Sequence, residues 1–237
     1  MYLDCAQVVR RPPYHRPPKR SSFQLWLSWR SAMQQPPITV VAVGDFGRAV
    51  AGRLVSRIAG TQVTESVPAA TSPLRPIVLA SWREARAIAR SIDANEAVPW
   101  WLPVILTHPQ IRVGPVLGGQ LPGCYDCLLG QVLATDEQPH VTRALWDLYD
   151  QDRWSGPLGY LEHHVSVAAS LATMLIRQQG PASQRILRYD LLDGTVRTDA
   201  FVPVDGCPRG KRAAVAQQLP GGSGDRAGQP DRTGVVA

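Results

Sequence analysis

Two cysteines separated by two residues are the clearest chemical signal in the sequence. Cys124 and Cys127 form a C-x-x-C pair near the end of a segment rich in glycine and proline, residues 111–130. At this spacing one loop can bring two thiolates to a single metal ion. Cys207 follows in the sequence C-P-R-G and is a third candidate ligand. The three cysteines together predict part of a metal site.

This candidate site is one ligand short of a structural zinc site, which needs four ligands, usually as two such pairs. The residue three positions after Cys207 is Gly210, not cysteine. His140, His163 and His164 are candidate substitutes, but no spacing selects one of them. A redox-active C-x-x-C pair is another interpretation, and it is expected at the start of a helix. Zinc, redox chemistry and plain buried thiols therefore all stay open at this point.

A second candidate site is the first glycine-rich turn. Residues 38–43, I-T-V-V-A-V, have the pattern of a buried strand and lead into G-D-F-G-R-A-V-A-G-R-L. Strand–glycine turn–helix openings occur in nucleotide-binding α/β folds, so Gly44, Asp45 and Gly47 are the cofactor-binding residues if a nucleotide binds. The glycine spacing departs from the full dinucleotide fingerprint, and Asp45 and Phe46 stand where a phosphate would approach. The sequence favours a structural turn without nucleotide.

Alternating strands and helices must position both sites. Apolar runs predict buried strands, segments with helical spacing separate them, and a turn at Asp193-Gly194 predicts a hairpin. This alternation predicts an α/β domain with a mostly parallel sheet flanked by helices and a C-terminal hairpin. The predicted strands are 38–43, 62–66, 76–81, 98–106, 111–116, 185–190 and 195–203, and the predicted helices are 44–59, 82–93, 128–134, 141–149 and 158–177.

Composition predicts the limits of the domain and the cellular compartment of the protein. Residues 1–36 are basic and rich in proline and residues 211–237 are polar, so both are predicted to be disordered around one domain at 37–210. The net charge of +6 is concentrated in these ends, so no nucleic-acid partner is expected. No apolar run reaches the ~20 residues that span a bilayer. With only four cysteines in the chain, we expect a cytoplasmic protein without a membrane partner.

Several segments, in order, resemble one protein family. They are V-A-V-G-D-F-G-R-A-V-A, I-V-L-A-S-W-R, P-W-W-L-P-V-I-L-T-H-P-Q-I-R-V-G-P-V, P-G-C-Y-D-C-L, Y-D-L-L-D-G and V-P-V-D-G-C-P, within residues 38–210. They resemble the ThiF-like, ubiquitin-activating-enzyme-like proteins of azoline-forming (TOMM) peptide clusters. These proteins are the cyclodehydratase partners, also called leader peptide-binding proteins.

The resemblance implies a ThiF-like fold and a scaffold role. Such proteins bind a ribosomally made precursor peptide and present it to a YcaO-type cyclodehydratase, which uses ATP to form azoline rings. The resemblance also implies a structural zinc site, in which Cys124, Cys127 and Cys207 match three of four ligands and Gly210 stands at the fourth. It leaves a homodimer open. The 37 residues before the first strand are too few for the winged-helix domain that binds the leader in relatives, and ATP is not expected on this chain.

Two enzymatic alternatives remain. One is a ThiF-type enzyme that uses ATP to adenylate the C-terminus of a carrier protein. The other is a nicotinamide-dependent dehydrogenase, which normally has an acidic residue at the end of its second strand. After the strand at 76–81 the sequence continues with Trp82-Arg83, which counts against both alternatives.

Overall fold

The computed structural model describes residues 36–69, 75–119, 121–152, 154–156, 159–178 and 184–209. Apart from Pro36, the predicted disordered segments 1–36 and 211–237 lie outside the described residues, as does Gly210. In the described ranges, no helix is long and apolar enough to cross a membrane. The strands are β1 (Thr39–Val43), β2 (Gln62–Thr64), β3 (Ile77–Ser81), β4 (Trp101–Leu106), β5 (Gln110–Val113), β6 (Arg185–Asp190) and β7 (Val196–Ala200). The helices are α1 (Gly44–Arg57), α2 (Arg86–Ala94), α3 (Tyr125–Ala134), α4 (Pro139–Gln151) and α5 (Glu162–Arg177).

One mixed sheet joins the seven strands in the order β2-β1-β3-β4-β5-β6-β7. Strands β2, β1, β3 and β4 are parallel to one another. Strands β5, β6 and β7 are added antiparallel, the last two as a hairpin. The chain leaves β1 for β2 on one side and then crosses to β3 on the other. The carboxyl ends of β1 and β3 therefore form the switch point at which open α/β sheets usually bind their ligands.

Helices cover both faces of the sheet. On one face α1 packs against α5, and their apolar side chains share a core with Val40 and Ala42 of β1. On the other face, apolar residues of α2, α3 and α4 share a second core with Val41. Because both faces are covered, the central strands are continuous apolar runs in the sequence rather than alternating ones.

The predicted fold class is confirmed: an α/β domain with a mostly parallel central sheet, flanking helices and a C-terminal hairpin. Four of the five helix starts differ from the prediction, and among them α4 begins at Pro139 rather than residue 141 and α5 at Glu162 rather than residue 158. Helix α2 begins at Arg86 rather than Trp82, because the Trp82 N–H still bonds to the Val43 carbonyl and the Ser81 hydroxyl donates to the Arg83 carbonyl. Helix α3 begins at Tyr125 rather than Leu128. The C-x-x-C pair consequently lies at a helix N-terminus.

Candidate functional site

The structure brings the three predicted cysteines together. Cys124 is the N-cap of α3, Cys127 lies in its first turn, and Cys207 follows β7. The Cys124 Sγ lies 3.6 Å from the Cys127 Sγ and 3.7 Å from the Cys207 Sγ. All three sulfur atoms lie within 4.8 Å of one another. Two thiolates on one tetrahedral zinc ion are about 3.8 Å apart, because each Zn–S bond is about 2.3 Å. The spacing therefore fits a zinc ion.

A close approach of two loops explains why Cys207 reaches the pair. Gly123 has a φ of +85°, and a Cβ at this position would lie 2.4 Å from the ring of Phe201. Only glycine combines this backbone conformation with room for the ring. The Cys207 N–H then bonds to the Val204 carbonyl at 3.0 Å, which turns the chain after the hairpin toward α3.

The start of a helix suits a redox pair as well as a metal site, and the burial of Cys124 bears on the choice between them. Burial raises the pKa of Cys124 to about 12. A redox-active cysteine reacts as the thiolate and needs a lowered pKa. A bound metal ion would supply the positive charge that ionises buried thiols. Three thiols that converge on one point fit a metal ion better than a two-thiol redox pair, and Cys124, Cys127 and Cys207 are the residues that would hold it.

The three histidines named as substitute ligands do not join the thiols. Within the described ranges, the group of metal-ligating side chains at this place consists of the three cysteines. His164 is buried instead at the start of α5, where its Nδ1 accepts the Leu161 N–H at 3.2 Å. His163 lies beside it, with the ring centroids 4.2 Å apart.

The glycines of the first turn are explained by packing. Gly44 has a φ of +70°, and a Cβ there would lie 2.2 Å from Cδ1 of Trp82. A Cβ at Gly47 would lie 2.3 Å from the carbonyl oxygen of Ala80. Asp45 is exposed and pairs with Arg48 on the helix surface. Gly44 and Gly47 therefore allow α1 to pack closely on β3 and on Trp82.

Trp82 and Arg83 fill the crevice at the switch point. The five-membered ring of Trp82 lies against Gly44, and its six-membered ring lies against Gly156. The Arg83 guanidinium lies 5.3 Å from the ring centroids of both Trp82 and Tyr149. Its Nη1 donates to the carbonyl oxygens of Asp152 and Ser155, each at 2.6 Å. Burial lowers the pKa of Arg83. These contacts fix the segment after α4 over the end of the sheet.

A buried network of polar side chains lies next to the thiol site, and the sequence did not predict it. Arg112 and Glu84 form an ion pair at 2.6 Å with side chains that are 3% and 1% exposed. Tyr125, next to Cys124, donates its hydroxyl to the other Glu84 oxygen. Burial and the nearby Glu84 carboxylate raise the pKa of Tyr125. The one signal in the sequence is Arg112 itself, a charge inside the apolar run I-R-V-G-P-V.

Asp93 was missed as well, although it contacts both cysteine-bearing segments. Its carboxylate accepts hydrogen bonds from the Tyr125 backbone and from Arg209. Nothing in the sequence around Asp93 distinguishes it from other acidic residues near a helix end.

Comparison with known proteins gives structural similarity without close sequence similarity. No protein-family profile and no curated protein match the chain. A heterocyclase solved with substrate and cofactor is 17% identical with a TM-score of 0.55, covering 82% of this chain and 29% of that one. A chain of the E. coli microcin synthetase McbBCD complex is 12% identical with a TM-score of 0.55, covering 73% and 67%. The heterocyclase TruD is 17% identical with a TM-score of 0.51, covering 81% and 31%.

This chain thus spans less than a third of the two heterocyclase chains. At these identities the similarity shows a shared fold.

Proposed function

We propose that this chain is a non-catalytic scaffold in the maturation of a ribosomally synthesised, azoline-containing peptide. It would bind the precursor peptide and present it to an ATP-dependent, YcaO-type cyclodehydratase in the cytoplasm. The observation that carries this proposal is the fold, which a heterocyclase and a microcin synthetase component share over 82% and 73% of the chain. The sequence segments that resemble cyclodehydratase partners support it independently.

The occupied crevice supports a role without nucleotide chemistry. An adenylating enzyme of this fold needs space for ATP beside the first glycine-rich turn, where backbone N–H groups meet phosphate. Here the Trp82 ring lies against Gly44, and Arg83 holds the neighbouring segment by two hydrogen bonds. Asp45 adds a negative charge at the start of α1. No contact in the described residues favours the adenylating alternative over the scaffold.

The thiol site would have a structural task in this scaffold. A zinc ion bound by Cys124, Cys127 and Cys207 would cross-link the segment after the hairpin to the start of α3. The protein's own contribution is to bring the three sulfur atoms within 4.8 Å and to bury Cys127 and Cys207, while Cys124 is half-buried.

Reconstitution tests the scaffold role. The full chain is combined with a YcaO-type cyclodehydratase and a Cys/Ser-rich precursor peptide encoded beside it, and azoline formation is followed by mass spectrometry as the loss of one water per ring. We expect the chain to co-purify with both and to raise the rate of ring formation. Absence of binding to either partner, and no effect on the rate, would overturn the proposal.

Pyrophosphate exchange with ATP separates the scaffold from the adenylating alternative. The chain alone should show no exchange, because Trp82 fills the crevice. Exchange that is lost in the Asp45→Asn variant would instead identify an adenylating enzyme. Asp45 is a suitable test position because its side chain is 79% exposed, so the variant should fold.

A further inference from the structure

Asp93 is bonded to three different parts of the fold. It lies in the last turn of α2, and its side chain is 12% exposed. Its Oδ1 accepts the Trp101 indole N–H at 2.9 Å and Arg209 Nη1 at 2.6 Å. Its Oδ2 accepts the Tyr125 backbone N–H at 3.1 Å. Its backbone carbonyl accepts a second hydrogen bond from Arg209. One side chain thus connects β4, the start of α3 and the segment after β7.

Two of these donors are close to cysteines of the thiol site. Tyr125 directly follows Cys124, and Arg209 comes two residues after Cys207. The two cysteine-bearing segments are 83 residues apart in the chain, so their approach depends on tertiary contacts. The bond to Trp101, which is fully buried in β4, fixes the carboxylate relative to the sheet. Asp93 therefore bonds to both segments from one fixed point.

The stability of helix α2 does not explain why an aspartate stands at position 93. A negative charge in the last turn of a helix is unfavourable because the C-terminal end of the helix carries a partial negative charge. The Asp93 carboxylate is also largely withdrawn from water, which is unfavourable unless its lone pairs are satisfied. The three hydrogen bonds to the carboxylate offset both effects, and the one from Arg209 is charge-assisted and hence stronger than a neutral one.

We propose that Asp93 is the positioning residue of the thiol site. It holds the segments of Cys124 and Cys207 together, so that the three sulfur atoms lie at metal-binding separations before a metal ion arrives. The inference rests on the proposed metal site and not on the scaffold role. Residues that orient metal ligands in this way typically change metal affinity about 10- to 100-fold when they are mutated.

The test is a cobalt titration of the full chain and its Asp93→Asn variant. Co²⁺ bound to thiolates gives a charge-transfer absorption, and competition with zinc gives the zinc affinity. An asparagine oxygen can still accept the Trp101 N–H, but the side chain loses the ion pair with Arg209, and its NH2 group cannot accept the Tyr125 N–H. We expect a loss in affinity of about 10- to 100-fold, with an unchanged circular dichroism spectrum.

Arg90→Ala is the matched control. Arg90 also lies on α2 and pairs with Asp126 between the two cysteines, but its side chain is 52% exposed. Exposed pairs contribute little, so its affinity should change less than about fivefold. A stabilising role for α2 in general would affect both variants, whereas a positioning role affects only Asp93→Asn.

Arg209→Gln and the double variant complete the design. If Asp93 acts on Cys207 through Arg209, the losses in affinity of the two single variants should add up to more than the loss in the double variant, because both substitutions remove the ion pair; only the bond from Arg209 to the Asp93 carbonyl is lost in Arg209→Gln alone. Arg209→Gln also replaces Asp93→Asn as the test if the latter does not fold. Wild-type affinity in a folded Asp93→Asn or Arg209→Gln variant would overturn the proposal.

A wild-type chain that binds no cobalt would overturn both the positioning role and the metal site. The reconstitution assay would still report separately on the scaffold role.

Discussion

Glu84 and Arg112 form an ion pair that is almost completely withdrawn from water. Glu84 bonds to Arg112 through one oxygen and to Tyr125 through the other, while the Nε of Arg112 has no hydrogen-bond partner. Taking two charges out of water is unfavourable, and the attraction between them offsets this only while both partners are present. The pair therefore makes the fold sensitive to either single substitution.

We expect Glu84→Gln to lower the free energy of unfolding by about 3–5 kcal/mol, because it leaves the Arg112 charge buried without a counter-charge. Urea denaturation measures this difference. Asp45→Asn breaks the exposed pair with Arg48 and should leave the free energy of unfolding nearly unchanged, because exposed ion pairs contribute little. A Glu84→Gln variant as stable as Asp45→Asn would contradict the interpretation of the buried pair.

His164 should make the protein less stable in mild acid. Burial, with smaller contributions from His163 and His108, lowers the pKa of His164. The folded state then holds the ring neutral, while the unfolded state takes up a proton below its ordinary pKa of about 6.5. Stability is complete above that pH and falls as the pH drops through it toward the folded-state pKa.

We expect His164→Asn to make this decline shallower, since asparagine can still accept the Leu161 N–H but does not titrate. Urea denaturation at a series of pH values between about 8 and 5 measures the slope. The difference in the free energy of unfolding between the two proteins at about pH 8, where the histidine is neutral in both states, gives the effect of the substitution apart from titration. Parallel curves over the whole range would show that His164 does not contribute.

At the level of elements, two glycines of helix α1 should respond in opposite ways to substitution by alanine. A Cβ at Gly47 would meet the backbone oxygen of Ala80, which cannot move without displacing β3, whereas a Cβ at Gly52 has no heavy atom within 4 Å. We expect Gly47→Ala to lower the free energy of unfolding by about 3 kcal/mol or more. Gly52→Ala should raise it by about 0.5–1 kcal/mol, because alanine is the better helix former. Equal effects of the two substitutions in thermal denaturation would contradict this account.

Local sequence patterns predicted most elements because the determining contacts are local. The apolar run at 38–43 and the helical spacing after Gly44 appear as β1 and α1, and Asp193-Gly194 joins β6 to β7. The start of α2 was predicted four residues too early. Good helix formers occupy 83–85, but the preceding Trp82 bonds to Val43 and packs on Gly44, and these contacts override helix propensity.

The candidate site was only partly predictable, because some of its contacts are local in the sequence and others join distant residues. The sequence alone identified Cys124 and Cys127 by their spacing and Cys207 as a third candidate, and the resemblance matched the three to a zinc ligand set. The bond between Asp93 and Arg209 joins residues 116 positions apart. No local pattern reveals such a partner. The Glu84–Arg112 pair could not be predicted either, since only the fold brings the two residues together.

At the level of the molecule, the thiol site would act as a clamp between the hairpin end and the helical layer. We expect removal of the metal with a chelator to speed hydrogen exchange in residues 201–209 and in the first turn of α3. Strands β1, β3 and β4 should keep their protection, because they are hydrogen-bonded to one another in the sheet and also pack in the core on the opposite face, which contains none of the three cysteines. Exchange followed by mass spectrometry measures both regions.

Cys207→Ser is the control for this experiment. It should exchange rapidly in residues 201–209 with or without the chelator, because the segment has already lost its ligand. An unchanged exchange pattern in the chelator-treated wild type would mean that the hydrophobic contacts of Phe201 hold the segment without help from a metal ion.

The side chain of Gln131 bonds to the backbone at the end of β7, the edge strand of the sheet. Its Nε2 donates to the Ala200 carbonyl at 2.7 Å and its Oε1 accepts the Val202 N–H at 3.0 Å. These two backbone groups point away from β6, since the Phe201 N–H between them bonds to Gln184 on the β6 side. The amide thus pairs with β7 as a residue of an eighth strand would. An open edge invites strand exchange and aggregation between copies. At this end of the edge, Gln131 therefore occupies the two backbone groups with which a further strand would pair.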